Sequence, residues 1–297
     1  MSPLISVVVP TYNHAHLINK CLQSLIDQSY SNWEALVINN FSSDNTVEVI
    51  ESFSDARIRI INFHNNGVIA AARNEGIQNS SGDWIAFLDS DDWWYPSKLS
   101  EIIPLLNDND IIFHNLDVYT PSGKSFRTIK GRHHQFPIFE DLLVKGNQIL
   151  NSSVVIRNNI IEEACYLSED PDLFALEDFD LWLRVSKLTE RFYYLNRALG
   201  AYWQGNTNCS NASRKSIERM KHLYANHLPS ISQKSQKSAL AILNYILTRE
   251  RMLCGDRYLL FEFLKTLHHL KRRKFILNSI IFGFLSILKS KTGVNSQ

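Results

Sequence analysis

The chain has 297 residues, 44% of them hydrophobic and 21% charged, and a formal net charge of +1. That balance suits a soluble globular protein with one large α/β domain and a smaller appendage, and it disfavours disordered, collagen-like or integral-membrane classes. A net charge this close to zero argues against nucleic acid as a partner, while leaving room for a local basic patch. Cys21, Cys165, Cys209 and Cys254 are widely spaced, with no C-x-x-C pair, which predicts a reducing, cytoplasmic setting and makes thiolate zinc sites improbable.

The N-terminal "MSPLISVVVPTYN" has no basic region ahead of its apolar run, so it reads as a first strand rather than a signal peptide. "LISVVV" (4–9) is continuously apolar, as expected of a strand covered by helices on both faces. Leu17, Ile18, Cys21, Leu22, Leu25 and Ile26 then recur at helical spacing. "WEALVIN" (33–39) is a second strand. Asp44 or Asn45 is placed to cap the next helix, with Glu48 in capping-box register to Asn45.

"RIRIINF" (57–63) predicts a third strand, "VIAAARNEGIQ" (68–78) a helix and "DWIAFL" (83–88) a fourth strand. This alternation predicts a doubly wound, mostly parallel sheet whose ligands sit beyond the carboxyl ends of its strands. Farther on, a helix near 97–107, strands at 110–118 and 152–157, a hairpin around "PSGKSF" and a helix at 179–188 are expected. "RFYYLN" and "ALGAYW" read as two short strands, and the chain from about 213 onward reads as helical.

"WIAFLDSDDWWYP" (84–96) drives a buried strand into Asp89, Asp91 and Asp92. Carboxylates at i and i+2 past a strand end can converge on a hard divalent cation that neutralises a diphosphate. The same acids would also serve as a turn or helix cap, and spacing alone does not separate the two readings. One of Trp93, Trp94 and Tyr95 could line a sugar site, and at least one is expected to pack beneath the next helix.

"VVVPTYNHAHLINKCLQSLIDQSY", "WEALVINNFSSDNT", "GVIAAARNEGIQNSSGDWIAFLDSDD" and "EDFDLWLR", in that order, resemble the family 2 glycosyltransferases of GT-A fold. The likeness is strongest over 4–105, weaker over 150–210 and absent beyond. It implies a GT-A-like catalytic domain over 1–212, with a nucleotide-sugar half to about 118 and an acceptor half from 119, followed by a helical region, 213–297.

The resemblance implies that Pro10, Thr11 and Tyr12 line the nucleoside, and that Asn39 and Asn40 stand where relatives carry an acidic base-binding pair. It places Arg73 on the diphosphate and Asp89 and Ser90 beside the donor. Asp91, helped by Asp89, would hold Mn²⁺ or Mg²⁺, with Asp92 structural. Gly67 and Gly76 would answer backbone conformation. Asp178 is the implied general base and Glu177 its alternate. The implied reaction is an inverting transfer of one sugar from a nucleotide-diphosphate sugar, UDP-linked by preference, to a saccharide. The setting would be cell-surface polysaccharide synthesis. Trp203 and Gly205 replace the relatives' Tyr-Arg-x-His, which puts a third metal ligand in doubt. The rival readings are a silent nucleotide-sugar-binding module and a Mg²⁺-dependent phosphoryl-transfer enzyme.

Past Glu262 only cations appear, flanking the 14-residue apolar run "FILNSIIFGFLSIL" (275–288), too short for the roughly 20 residues a bilayer span needs. The stretch 265–291 reads either as an interfacial helix on an anionic membrane, at the cytoplasmic face of the inner membrane beside a lipid-linked acceptor, or as a packed helix.

Overall fold

The structure, a computed structural model, describes residues 2–205, 213–254 and 256. These fall into two compact units, one of 2–142 with 147–205 and one of 143–146 with the residues from 213 onward.

In the first unit β1 (Ile5–Thr11) is buried along its whole length. It lies parallel between β2 (Trp33–Asn39) and β4 (Trp84–Phe87), and β3 (Ile58–Asn62) adds parallel to β2. Successive side chains of β1 point to opposite faces. Ile5, Val7 and Val9 cluster with Ile18, Cys21, Leu22 and Leu25 of α1 (Ala15–Ile26). On the other face Val8 meets α3 (Ile69–Gln78), where a methyl group added at Gly76 would lie 2.5 Å from Val8 Cγ1. Gly76 is therefore required for close helix–sheet approach, in contrast to the conformational role expected of it; Gly67, at φ +79°, does occupy the left-handed region. The short α2 (Thr46–Glu51) begins after Asn45, whose own side chain makes no capping bond. Asp44 instead accepts from the backbone N–H groups of Thr46 and Ala15, tying the starts of α1 and α2 together.

Beyond β4 the sheet changes character. Its order is β3-β2-β1-β4-β8-β6-β9-β5, with β7 added to β6. The members are β5 (Trp93–Trp94), β6 (Ile111–Thr120), β7 (Gly123–Ile129), β8 (Val155–Arg157) and β9 (Phe192–Trp203). β8 is antiparallel to both β4 and β6, whereas β9 is parallel to β6. The two strands expected at 191–203 are one continuous β9, whose register against β6 shifts near Asn115; the interruption is a bulge, not a strand end. The helices α4 (Lys98–Ile102), α5 (Ile138–Lys145), α6 (Asn158–Glu163) and α7 (Glu177–Val185) complete this part of the chain. The segment expected as one helix near 97–107 is α4 followed by a 3₁₀ turn around Pro104.

In the second unit α8 (Arg214–His227) opens with a capping box formed by Ser213 and Ser216, and its buried Tyr224 donates to the Leu143 carbonyl at 3.1 Å. Ser232 caps α9 (Gln233–Leu253), which buries Ala239, Ile242 and Leu243. Among the described residues no helix is long and apolar enough to cross a membrane. The basic and apolar stretch 265–291 lies outside the described residues.

Candidate functional site

The acidic motif turns as soon as β4 leaves the core. The Asp92 N–H donates to the Asp89 carbonyl at 2.9 Å, closing a tight turn over Asp89–Asp92. Each acid has a different environment. Asp92 is buried and accepts from the Trp203 N–H at 2.8 Å, so it hitches the end of β9 to the turn. Burial first, then Asp91 and Asp89, push its pKa well above the ordinary carboxylate value. Asp89 Oδ1 accepts from Arg73 Nη2 at 2.7 Å. Asp91 makes no ion pair among the described residues; burial and the adjacent Asp89 outweigh the more distant pull of Arg73 and raise its pKa to about 7. Ser90 is buried, its hydroxyl 2.7 Å from His14 Nδ1. Burial lowers the His14 pKa, with His16 acting in the same direction.

Arg73, the residue expected on the diphosphate, pairs with two carboxylates of the protein. Its side chain is 4% exposed, and besides Asp89 it holds Glu177 Oε1 through Nη1 at 2.6 Å. Asn151 lies against the same group and, with its carboxamide oxygen turned toward the guanidinium, accepts from Nε at 3.2 Å and Nη2 at 3.3 Å. Burial alone would lower the Arg73 pKa, but Asp89 and Glu177 outweigh it and hold the value above normal. The neighbouring Asn74 works alongside: Nδ2 donates to Leu167 O and Glu169 Oε1, both at 2.9 Å, while Oδ1 accepts from the Leu167 N–H. Consecutive residues of α3 thus grip the acidic turn, the segment after α6 and the first residue of α7.

Helix α7 presents Glu177, Asp178 and Asp180 in its first turn, where the helix dipole favours carboxylates. Phe179, Leu181, Trp182, Leu183 and Val185 bury its apolar face. Asp180 pairs with Arg184 at 2.8 Å, one turn along, and is structural. Asp178 Oδ1 accepts from the Phe179 N–H at 2.6 Å. Burial, then Glu177, raise the Asp178 pKa to about 7, which is the range suited to a general base at neutral pH.

The loops after β1, β2 and β3 form a second neighbourhood. Pro10 and Thr11 are buried in strand register opposite Ile38 and Asn39, whereas Tyr12 is 54% exposed. Asn39 is enclosed: Oδ1 accepts from the Ser42 N–H and hydroxyl, and Nδ2 donates to Asn62 Oδ1 at 2.7 Å. The carboxamide expected to meet a nucleobase edge is thereby engaged within the protein. Asn40 Oδ1 accepts from the Asn65 N–H at 3.1 Å. Of the three aromatics after the acids, Trp94 is buried and donates from Nε1 to Ser152 O, Trp93 lies under Lys20 Nζ at 3.2 Å, and Tyr95 donates to Asp117.

A divalent cation fits the acidic turn. Asp89, Asp91, Glu177 and Asp178 share one buried guanidinium, and the ionised form of Asp91 is penalised by burial and by Asp89 more than Arg73 offsets. No group of three or more His, Cys, Asp or Glu converges as a complete metal cage among the described residues. Two oxygen ligands with the balance from phosphate and water is how Mg²⁺-type ions bind beside diphosphates.

The family model described as "Glycosyl transferase family 2" matches residues 6–158, just over half of the chain and the stretch that carries the acidic turn. The chain belongs to glycosyl transferase family 2. Among curated proteins this family member is 26% identical over 232 residues to TuaG of Bacillus subtilis, a glycosyltransferase named for teichuronic acid biosynthesis, covering 75% of this chain and 87% of the relative. It is 42% identical over 110 residues to WfgD of Escherichia coli, named as a UDP-Glc:alpha-D-GlcNAc-diphosphoundecaprenol beta-1,3-glucosyltransferase, covering 37% of this chain and 44% of the relative. The GT-A fold is shared with solved glycosyltransferases. S. aureus TarS 1–349 in complex with UDP-GlcNAc superposes at a TM-score of 0.62 with 18% identity over 80% of this chain and 71% of that one. Mannosyltransferase PcManGT of Pyrobaculum calidifontis, solved with GDP-Man and Mn²⁺, gives 0.58 with 15% identity over 97% and 87%. The chain is thus a glycosyltransferase of GT-A fold.

Sequence reasoning brought together Asp89, Asp91, Arg73, Glu177 and Asp178, and the fold places them in one connected cluster. It did not single out Asn151, Ser152 or Asn74, which buttress that cluster. Asn151 and Ser152 lie in a stretch with no recognisable motif, and nothing in the pattern marks them.

Proposed function

We propose that the enzyme is an inverting, metal-dependent glycosyltransferase that moves one sugar from a UDP-sugar to a saccharide hydroxyl in the building of a cell-surface polysaccharide. The acceptor is lipid-linked, in line with the diphosphoundecaprenol-linked acceptor in the name of WfgD, and the enzyme works on the cytoplasmic side of the membrane. The observation that carries the reading is the split of carboxylates around Arg73: Asp89 and Asp91 at the end of β4, Asp178 at the start of α7.

Asp91 and Asp89 would hold Mn²⁺ or Mg²⁺, which supplies charge neutralisation for the departing diphosphate. Asp178 accepts the proton of the acceptor hydroxyl as its oxygen bonds to the anomeric carbon. The bond from that carbon to the phosphate oxygen breaks on the opposite side, its electron pair leaving with the nucleoside diphosphate, so one displacement inverts the configuration. Glu177 is a positioning residue, since its Oε1 is held by Arg73.

The test is nucleoside diphosphate release from UDP-, GDP-, CDP- and dTDP-sugars, with Mn²⁺ or with EDTA, in the presence of polyprenyl-diphosphate-linked saccharides. The expected result is metal-dependent release from UDP-sugars and a product of inverted anomeric configuration by NMR. A retained configuration would overturn the single-displacement mechanism, and binding of donor without transfer to any acceptor would favour the silent module.

A further inference from the structure

Phe41 combines features that packing does not explain. It follows β2 at the carboxyl edge of the parallel sheet, and it is 50% exposed although large and apolar. Its φ is +51°, the left-handed region that bulky side chains avoid and glycine enters freely. Its ring stacks on His64, just past β3, with centroids 3.9 Å apart and planes 15° from parallel. Burial of Phe41 cannot be the purpose of this arrangement, because half of the side chain stays in solvent.

The surrounding backbone holds it in place. The Asn40 N–H donates to Thr11 O at 3.0 Å, the Phe63 N–H to Asn39 O at 2.9 Å and the Asn65 N–H to Asn40 Oδ1 at 3.1 Å, so the loops after β1, β2 and β3 are laced together. Asn13 adds two more stitches, donating from its N–H to Ser42 Oγ and accepting from the Ser43 N–H. With Asn39 closed off by Ser42 and Asn62, this rim presents a flat aromatic face where a carboxamide edge was expected.

We propose that Phe41, backed by His64, is the plate on which the donor's nucleobase stacks, so that this chain holds the base by its π-face and not through the Asn39 edge. The proposal rests on the nucleotide-sugar reading above. Base–aromatic stacking is tolerant of base identity, and discrimination among bases then falls to contacts around the plate.

The test is calorimetric titration of the full chain with UDP, GDP, CDP and dTDP in Mn²⁺, and with inorganic pyrophosphate as a probe that lacks the base. Phe41→Gly is expected to weaken UDP binding about tenfold, Phe41→Leu to weaken it comparably, and Phe41→Trp to preserve it. Pyrophosphate binding should be unchanged in all three. Phe41→Gly should unfold no earlier than the wild type, because glycine is at ease at +51°. UDP binding by Phe41→Gly within twofold of wild type would overturn the plate while leaving the donor reading intact. A wild type that binds none of the four nucleotides would overturn both.

Discussion

Asp178 is a carboxyl group that folding makes harder to ionise, since burial and then Glu177 raise its pKa from 3.8 to about 7. The consequence for activity and the consequence for stability have opposite signs. A general base must be ionised, so turnover should fall as pH drops through about 7. Between the unfolded value and about 7 the native state binds the proton more tightly than the unfolded chain, so this group's contribution to stability declines as pH rises through that window. Above it the full penalty applies. Asp178→Asn should therefore be more stable than wild type at pH 8, on the order of 2 kcal/mol after discounting the shift for solvent access to the half-buried side chain, with the gain shrinking toward pH 5. Thermal unfolding at the two pH values measures this; an equal gain at both would show that the carboxyl is not a strained acid. Such a trade of stability for function is common at active sites.

At the level of elements, α3 is the member that ties the site together. Its Arg73 bridges the turn after β4 and the start of α7, and its Asn74 grips the segment that leads from α6 into α7. A lysine in place of Arg73 keeps the charge but presents one compact ammonium instead of a planar fork, and it cannot hold both carboxylates in the same geometry. Arg73→Lys should lower kcat roughly 10- to 100-fold, as expected for a misplaced catalytic group, with donor KM changing far less. The opposite split, a large rise in donor KM at unchanged kcat, would restore Arg73 to the diphosphate. Alternating strand and helix patterns made the parallel half of the fold readable, because β1 and β2 are buried on both faces and α1 is cleanly amphipathic. The segment around β9 was less readable, since a bulge inside one strand leaves the same sequence trace as a turn between two. The acids of the site were legible as a set. Their division of labour was not, because whether Arg73 meets a ligand or a protein carboxylate depends on what α7 brings to it from more than a hundred residues away.

Over the whole molecule the near-zero net charge conceals a sharp local imbalance. One buried guanidinium faces Asp89, Glu177 and Asp178, and Asp91 beside them feels Arg73 less than it feels burial and Asp89. That concentration of acid is costly in an isolated protein and becomes useful when a divalent cation and a diphosphate occupy one side of Arg73 and an acceptor hydroxyl the other. The most direct test is to compare wild type and Asp178→Asn for UDP-sugar binding in Mn²⁺ and for transfer under single-turnover conditions. Donor affinity within about twofold of wild type together with a 100- to 10,000-fold loss of transfer is the predicted result. Transfer by Asp178→Asn at a rate near wild type would contradict it.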